Sequence, residues 1–152
     1  MLHLQSRLSD FDLIRPGREL VKEGELQKIS RKEVVPRYFI LLSDCLLYTS
    51  YYGAWVDGNT ALRVSYNIPL SQLRVVSGQH ADTLTHEFTV ISNVRSFSVI
   101  ARSQEEKMAW IEAIESAKEE YHQKKASFVS QVSTHYIVTA ELGTIIDYYP
   151  GQ

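Results

Sequence analysis

The side chains able to make or break covalent bonds are few and dispersed. His3, His80, His86, His122 and His135 share neither the helical nor the strand spacing that would gather metal ligands, and His86 reads as part of a strand face. Cys45 is the only cysteine, and in its apolar run it reads as a small buried hydrophobe. A single thiol excludes an intramolecular disulfide and a multi-cysteine zinc site, and it fits a reducing compartment. No glycine-rich phosphate loop and no nucleophile motif occurs. These residues point to no catalysis, no metal and no cofactor.

Non-covalent recognition is left. The 16 Lys and Arg against 18 Asp and Glu give a formal charge of -2, so any anion binding must come from a local cluster of cations. The basic residues interleave with acids and form no continuous stripe, which argues against nucleic acid. Tyr51, Tyr52 and Trp55 stand in "YYGAWVDGNTA", a segment read as the connection between the third and fourth strands. Aromatics at such a tip can enter a lipid interface, where amphipathic rings are favoured, or fold back on the sheet.

The elements that must position these residues follow from hydrophobic period. A chain of 152 residues with 44% hydrophobic and 22% charged residues is of ordinary globular composition and suits one domain with terminal extensions. No run of about 18 apolar residues could span a membrane, and the first ten residues do not read as a secretion signal. Leu4, Leu8 and Phe11 keep helical spacing over a segment shorter than the roughly 12–15 residues an isolated helix needs. "RPGR" at 15–18 ends it.

From there to Ala101 the apolar residues alternate in seven short runs parted by turn residues, the pattern of an antiparallel sheet. "ELVKEGELQKIS" holds Gly24, read as a bulge or bend. "PRYFILL" puts Phe39 and Leu41 on one face, and "CLLYTS" follows through Ser43-Asp44. In the fourth run Leu62, Val64, Tyr66 and Ile68 read as one apolar face. "QLRVV", "HEFTVI" and "SFSVI" complete the set, with a turn at Ser92-Asn93.

After Ala101 the period becomes 3.6. Ser103 and Glu106 form a capping box, and Trp110, Ala113, Ile114, Ala117 and Tyr121 line one side of a helix. Seven short strands in two small sheets cannot close both open ends themselves. Trp110 is therefore expected to plug one mouth, burying some 150–250 Å² of apolar surface. The pieces "YIV" and "TII" in residues 129–152 could add a strand to a sheet edge, bind a partner or stay disordered; the expectation is a weakly ordered tail.

"KEGELQKIS", "PRYFILL" followed by "SDCLLYTS", and Trp110 in a closing helix together resemble a pleckstrin homology (PH) domain. That family's fold is a seven-stranded antiparallel β-sandwich or barrel capped by one carboxy-terminal amphipathic helix. "LQSRLSDFDLIRPGRELVKEGELQKIS" resembles the junction where the last helix of a Dbl-homology exchange domain enters its PH domain in exchange factors for Rho-family GTPases. "LVKEGELQKISRK", "EEYHQKKASF" and "TAELG" are most similar to the faciogenital-dysplasia-type (FGD) factors, in which a FYVE finger follows. The resemblance divides the chain into a stub at 1–14, a PH domain at 15–128 and a tail at 129–152. Residues 1–14 are too few for an exchange domain, and one cysteine cannot make a FYVE finger, so neither activity carries over and no enzyme is expected.

In lipid-binding PH domains, cations from the first two strands and their loop surround inositol phosphates through charge-assisted hydrogen bonds. The matching places here hold Lys28, Arg31, Lys32 and Arg37, with Lys22 expected close by. The family's best phosphate-binding pattern has a further cation two places before the strand-two Arg, where this chain has Val35, so the resemblance implies modest and poorly selective phosphoinositide affinity. The bland alternative is a set of solvated loop charges. Two functions follow: a peripheral membrane-targeting and regulatory module on the cytoplasmic side, or a protein-interaction module docking an exchange domain, a Rho-family GTPase or a cytoskeletal partner with little lipid affinity.

Overall fold

The computed structural model describes residues 1–56, 59–77 and 86–141, with 54–56, 59 and 129–141 as backbone only. A five-residue helix α1 (Leu2–Ser6) precedes strands β1 (Leu20–Ile29), β2 (Val34–Leu42), β3 (Cys45–Val56) and β4 (Asn59–Pro69). A 3-10 turn (Leu70–Gln72), β5 (Leu73–Ser77), β6 (Glu87–Ser92), β7 (Phe97–Ile100) and the long α2 (Gln104–Glu141) follow.

The strands form one antiparallel sheet in the order β4-β3-β2-β1-β7-β6-β5, where sequence reading had expected two. β1 is the reason. It pairs with β2 along its whole length and with β7 only near its end, at Gln27 and Lys28, so both halves hang on a single strand.

Side-chain alternation gives this sheet an inner and an outer core. The inner face gathers Leu26, Phe39, Leu41, Leu46, Tyr48, Ile68, Phe88, Val90, Phe97 and Val99 with Trp110, Ile114 and Ala117 of α2. Trp110 is 1% exposed, edge-on to Phe39 with ring centroids 6.5 Å apart, so the indole plugs this core as its helical position implied. The helix starts where expected: the Glu106 amide donates to Ser103 Oγ at 3.0 Å, while the Glu106 carboxylate accepts from Arg102 Nε at 3.1 Å.

The outer face of β2, β3 and β4 carries a second core, and the amino-terminal segment covers it. Leu4, Leu8 and Leu13 are buried there against Ile40, Leu42, Cys45, Leu47 and Leu62. The helical stripe read over Leu4, Leu8 and Phe11 is therefore corrected: only residues 2–6 are helical, and Leu8 forms a parallel bridge with Leu62. One turn of helix gains less than laying leucines on an apolar sheet face. The Gln5 side chain fixes the bend, donating to the Leu8 and Phe11 carbonyls and accepting from the Leu13 amide at 2.6 Å.

Other local readings change for definite reasons. Gly24 stays in register opposite Phe39; the irregularity lies between Leu20 and Lys22, and Trp110 Cζ2 passes 3.5 Å from where a Gly24 Cβ would stand. The single apolar face of β4 is split. Thr49 pairs with Val64 and Tyr48 with Tyr66, which leaves Ser65 as an extra residue that flips the alternation. Leu62 and Val64 thus serve the outer core, and Tyr66 and Ile68 the inner one. His86 lies just before β6 at φ 48°, its Nδ1 buried without a hydrogen-bond partner among the described residues.

The helix also passes the boundary drawn at residue 128. Residues 129–141 continue α2, and residues 142–152 lie outside the described residues. No Pro or Gly occurs between Gln104 and Glu141, and extending a nucleated helix adds one hydrogen bond per residue fixed.

Candidate functional site

The β1–β2 hairpin ends in a tight turn. The Ser30 amide donates to the Glu33 carbonyl at 2.9 Å, and Ser30 Oγ donates to the same oxygen at 2.8 Å. This closure puts Arg31 and Lys32 at the exposed tip. Leu26 is opposite Arg37 and Lys28 opposite Val35, so Lys28 and Arg37 are diagonal neighbours on the face whose deeper residues form the inner core.

Lys28 Nζ lies 5.8 Å from the centre of the Tyr48 ring, which meets Tyr66 edge-on at 5.3 Å. Arg95 Cζ lies 5.6 Å from the centre of the Tyr66 ring. Arg95 was missed in the sequence, being a lone cation far from the others. Pairing of Lys28 with Val99 brings β7 beside β1, and Ser92 pins the turn by donating from Oγ to the Arg95 carbonyl and accepting from its amide. Among the described residues the ion pairs are Arg18–Asp44 and Arg102–Glu106, so Lys28, Arg31, Lys32, Arg37 and Arg95 keep their charges uncompensated by a direct carboxylate.

Lys22 is not part of this group. It shares a face of β1 with Lys28 but stands six residues away, about 20 Å along the strand. Its ammonium lies 5.3 Å from the centre of the Trp110 ring, where it serves the helix contact.

The aromatic reading of 51–61 also changes. Residues 51–56 belong to β3 and pair with β4, which begins at Asn59, with a bulge between Tyr52 and Trp55 where Gly53 takes a positive φ. Tyr51 folds back on the sheet, edge-on to Tyr38 and donating to Glu25 Oε1 at 2.6 Å. Burial first, then the hydrogen bond to Glu25, pushes its pKa up. Tyr52 is 46% exposed under the Arg63 guanidinium, 3.9 Å from the ring centre. The Trp55 side chain lies outside the described residues.

At the opposite end Arg18 binds Asp44 through two hydrogen bonds, Nε to Oδ1 at 2.9 Å and Nη2 to Oδ2 at 2.7 Å. Burial alone would raise the Asp44 pKa, but Arg18 outweighs it and holds the carboxyl below its usual range. Beside it, burial pushes the Cys45 thiol up to about 12, so it stays a protonated core group.

A sheet folded about one shared strand, with an indole at one mouth and cations at the other, meets a matching family model: residues 20–119 fit the PH domain. The chain belongs to the PH domain family. It is 33% identical over 129 residues to mouse "FYVE, RhoGEF and PH domain-containing protein 6", covering 84% of this chain and 9% of that protein. It is 35% identical over 106 residues to human "FERM, ARHGEF and pleckstrin domain-containing protein 2", covering 70% of this chain and 10% of that one. The resemblance to FGD-type exchange factors therefore holds for this PH domain, and the chain spans between 8% and 17% of the length of these curated relatives. Among solved structures, the DH/PH domains of p115-RhoGEF match with a TM-score of 0.59 at 20% identity over 76% of this chain and 39% of that one. The DH/PH fragment of PDZRHOGEF solved with human RhoA matches with a TM-score of 0.58 at 19% identity, over 78% and 39% of the two chains. At these identities the likeness concerns the fold of the PH domain.

Proposed function

We propose that this PH domain docks on phosphoinositide-bearing membrane surfaces through Lys28, Arg31, Lys32 and Arg37, as the targeting and regulatory module of a Rho-type exchange factor. The supporting observation is that the hairpin and its turn carry these four cations on one mouth of the sheet, without carboxylate partners among the described residues. Arg95 adds a fifth charge to the same aromatic pair that Lys28 touches. Such cations gain about 1 kcal/mol each near an anionic leaflet and release the surface as salt rises. No helix among the described residues is long and apolar enough to cross a membrane. The attachment proposed is peripheral, on the cytoplasmic leaflet, where anionic lipids attract cationic faces.

Exchange itself would belong to a Dbl-homology domain, and this chain is expected to leave nucleotide release from a Rho GTPase unchanged. Sedimentation with vesicles of phosphatidylcholine containing phosphatidylinositol bisphosphate tests the reading. Lys28→Glu with Arg37→Glu should weaken binding more than about 30-fold, since two contributions of that size vanish and two repulsions replace them. Equal binding by this variant, or no binding of the wild type at moderate salt, favours a module that docks protein partners instead.

A further inference from the structure

We propose that Ser30 is a phosphorylation site whose modification releases the docking face. The inference rests on the membrane reading above. Ser30 carries the only hydroxyl in residues 28–37, the stretch that holds all four hairpin cations. It also builds the turn that presents them: Oγ donates to the Glu33 carbonyl at 2.8 Å, and the Glu33 amide points back at Oγ from 3.4 Å. Arg31, Lys32 and Glu33 are exposed and Val34 is 50% exposed, so the segment after Ser30 lies open to an enzyme.

Lys28 two places before, with Arg31 and Lys32 directly after, is a charge pattern that the acidic substrate groove of a basophilic protein kinase accepts. In the transfer, Ser30 Oγ attacks the γ-phosphorus of Mg-ATP and its proton passes to a carboxylate base of the kinase. The bond from that phosphorus to the bridging oxygen breaks, and ADP leaves.

The product acts on the site twice. Phosphoserine brings about -1.5 to -2 charge at neutral pH and pairs with the adjacent Arg31 and Lys32, offsetting about two of the four cations. It also has no hydroxyl proton to give the Glu33 carbonyl, so the turn keeps only the backbone bond from the Ser30 amide to that oxygen. Losing the equivalent of two cations weakens vesicle binding about 30-fold.

The full 152-residue chain, treated with a basophilic serine/threonine kinase and Mg-ATP, is mapped by peptide mass spectrometry. Both forms are then sedimented with phosphatidylcholine vesicles carrying phosphatidylserine and phosphatidylinositol bisphosphate. The expected result is phosphate on Ser30 and a tenfold or greater loss of binding, with Ser30→Ala unaffected by kinase treatment. An unmodified Ser30, equal binding of the phosphorylated chain, or a loss that persists in Ser30→Ala overturns the inference while the membrane reading stands. An untreated chain that ignores the vesicles overturns both.

Discussion

Lys22 and Lys28 are the same residue type on the same face of the same strand, and the fold gives them opposite duties. Lys22 lies over the indole of Trp110, in the mouth that α2 closes. Lys28 lies over Tyr48, in the mouth that no helix among the described residues covers, with Arg37 diagonal to it and Arg31 and Lys32 beyond. The strand supplies the face, and the position of the helix decides which cation lies over the indole and which stands with the hairpin cations. Counting basic residues along β1 therefore overstates how many cations the fold gathers at one mouth.

The largest test of the contrast removes the plug. Trp110→Ala should cost about 3–5 kcal/mol in chemical denaturation, because it empties the centre of the inner core. Molecules of this variant that remain folded should still bind vesicles, since the cations are on the other mouth. The paired charge reversal of Lys28 and Arg37 comes next, as described. Lys22→Glu should lower stability by no more than about 1 kcal/mol, the size of one cation–π contact, and leave vesicle binding within twofold. Strong loss of binding by Lys22→Glu would merge the two ends and break the comparison.

The smallest effect concerns pH at the helix-closed end. The folded-state pKa of Asp44 is depressed by Arg18 against the pull of burial, so the carboxylate stabilises the fold above its unfolded pKa near 4. That contribution is lost as pH falls through the lower folded value. Denaturation midpoints measured from pH 6 to 2.5 should fall less for Asp44→Asn than for the wild type, and identical slopes would remove Asp44 from the account.

Much of this was legible beforehand, and the failures share a cause. Alternation located all seven strands, and the Ser103 cap with the Trp110, Ile114 and Ala117 spacing located the helix and its buried side. The β4 alternation misled because a single inserted residue, Ser65, reverses every face beyond it without altering the pattern of residue types. The segment 1–14 misled because its leucines fit a helix face and an extended docking strip equally well. Arg95 went unnoticed because nothing local marks it.

The sequence by itself determined the strands, the closing helix, the tryptophan plug and the cationic hairpin turn, since each depends on residue period or on neighbours within a few positions. Tertiary structure alone decided that the sheet is continuous through β1, that the amino-terminal leucines build an outer core, and that Lys22 leaves the cationic group while Arg95 joins it. Those outcomes depend on which strands become neighbours, and that pairing is settled by burying both sheet faces together across separations that no local pattern records.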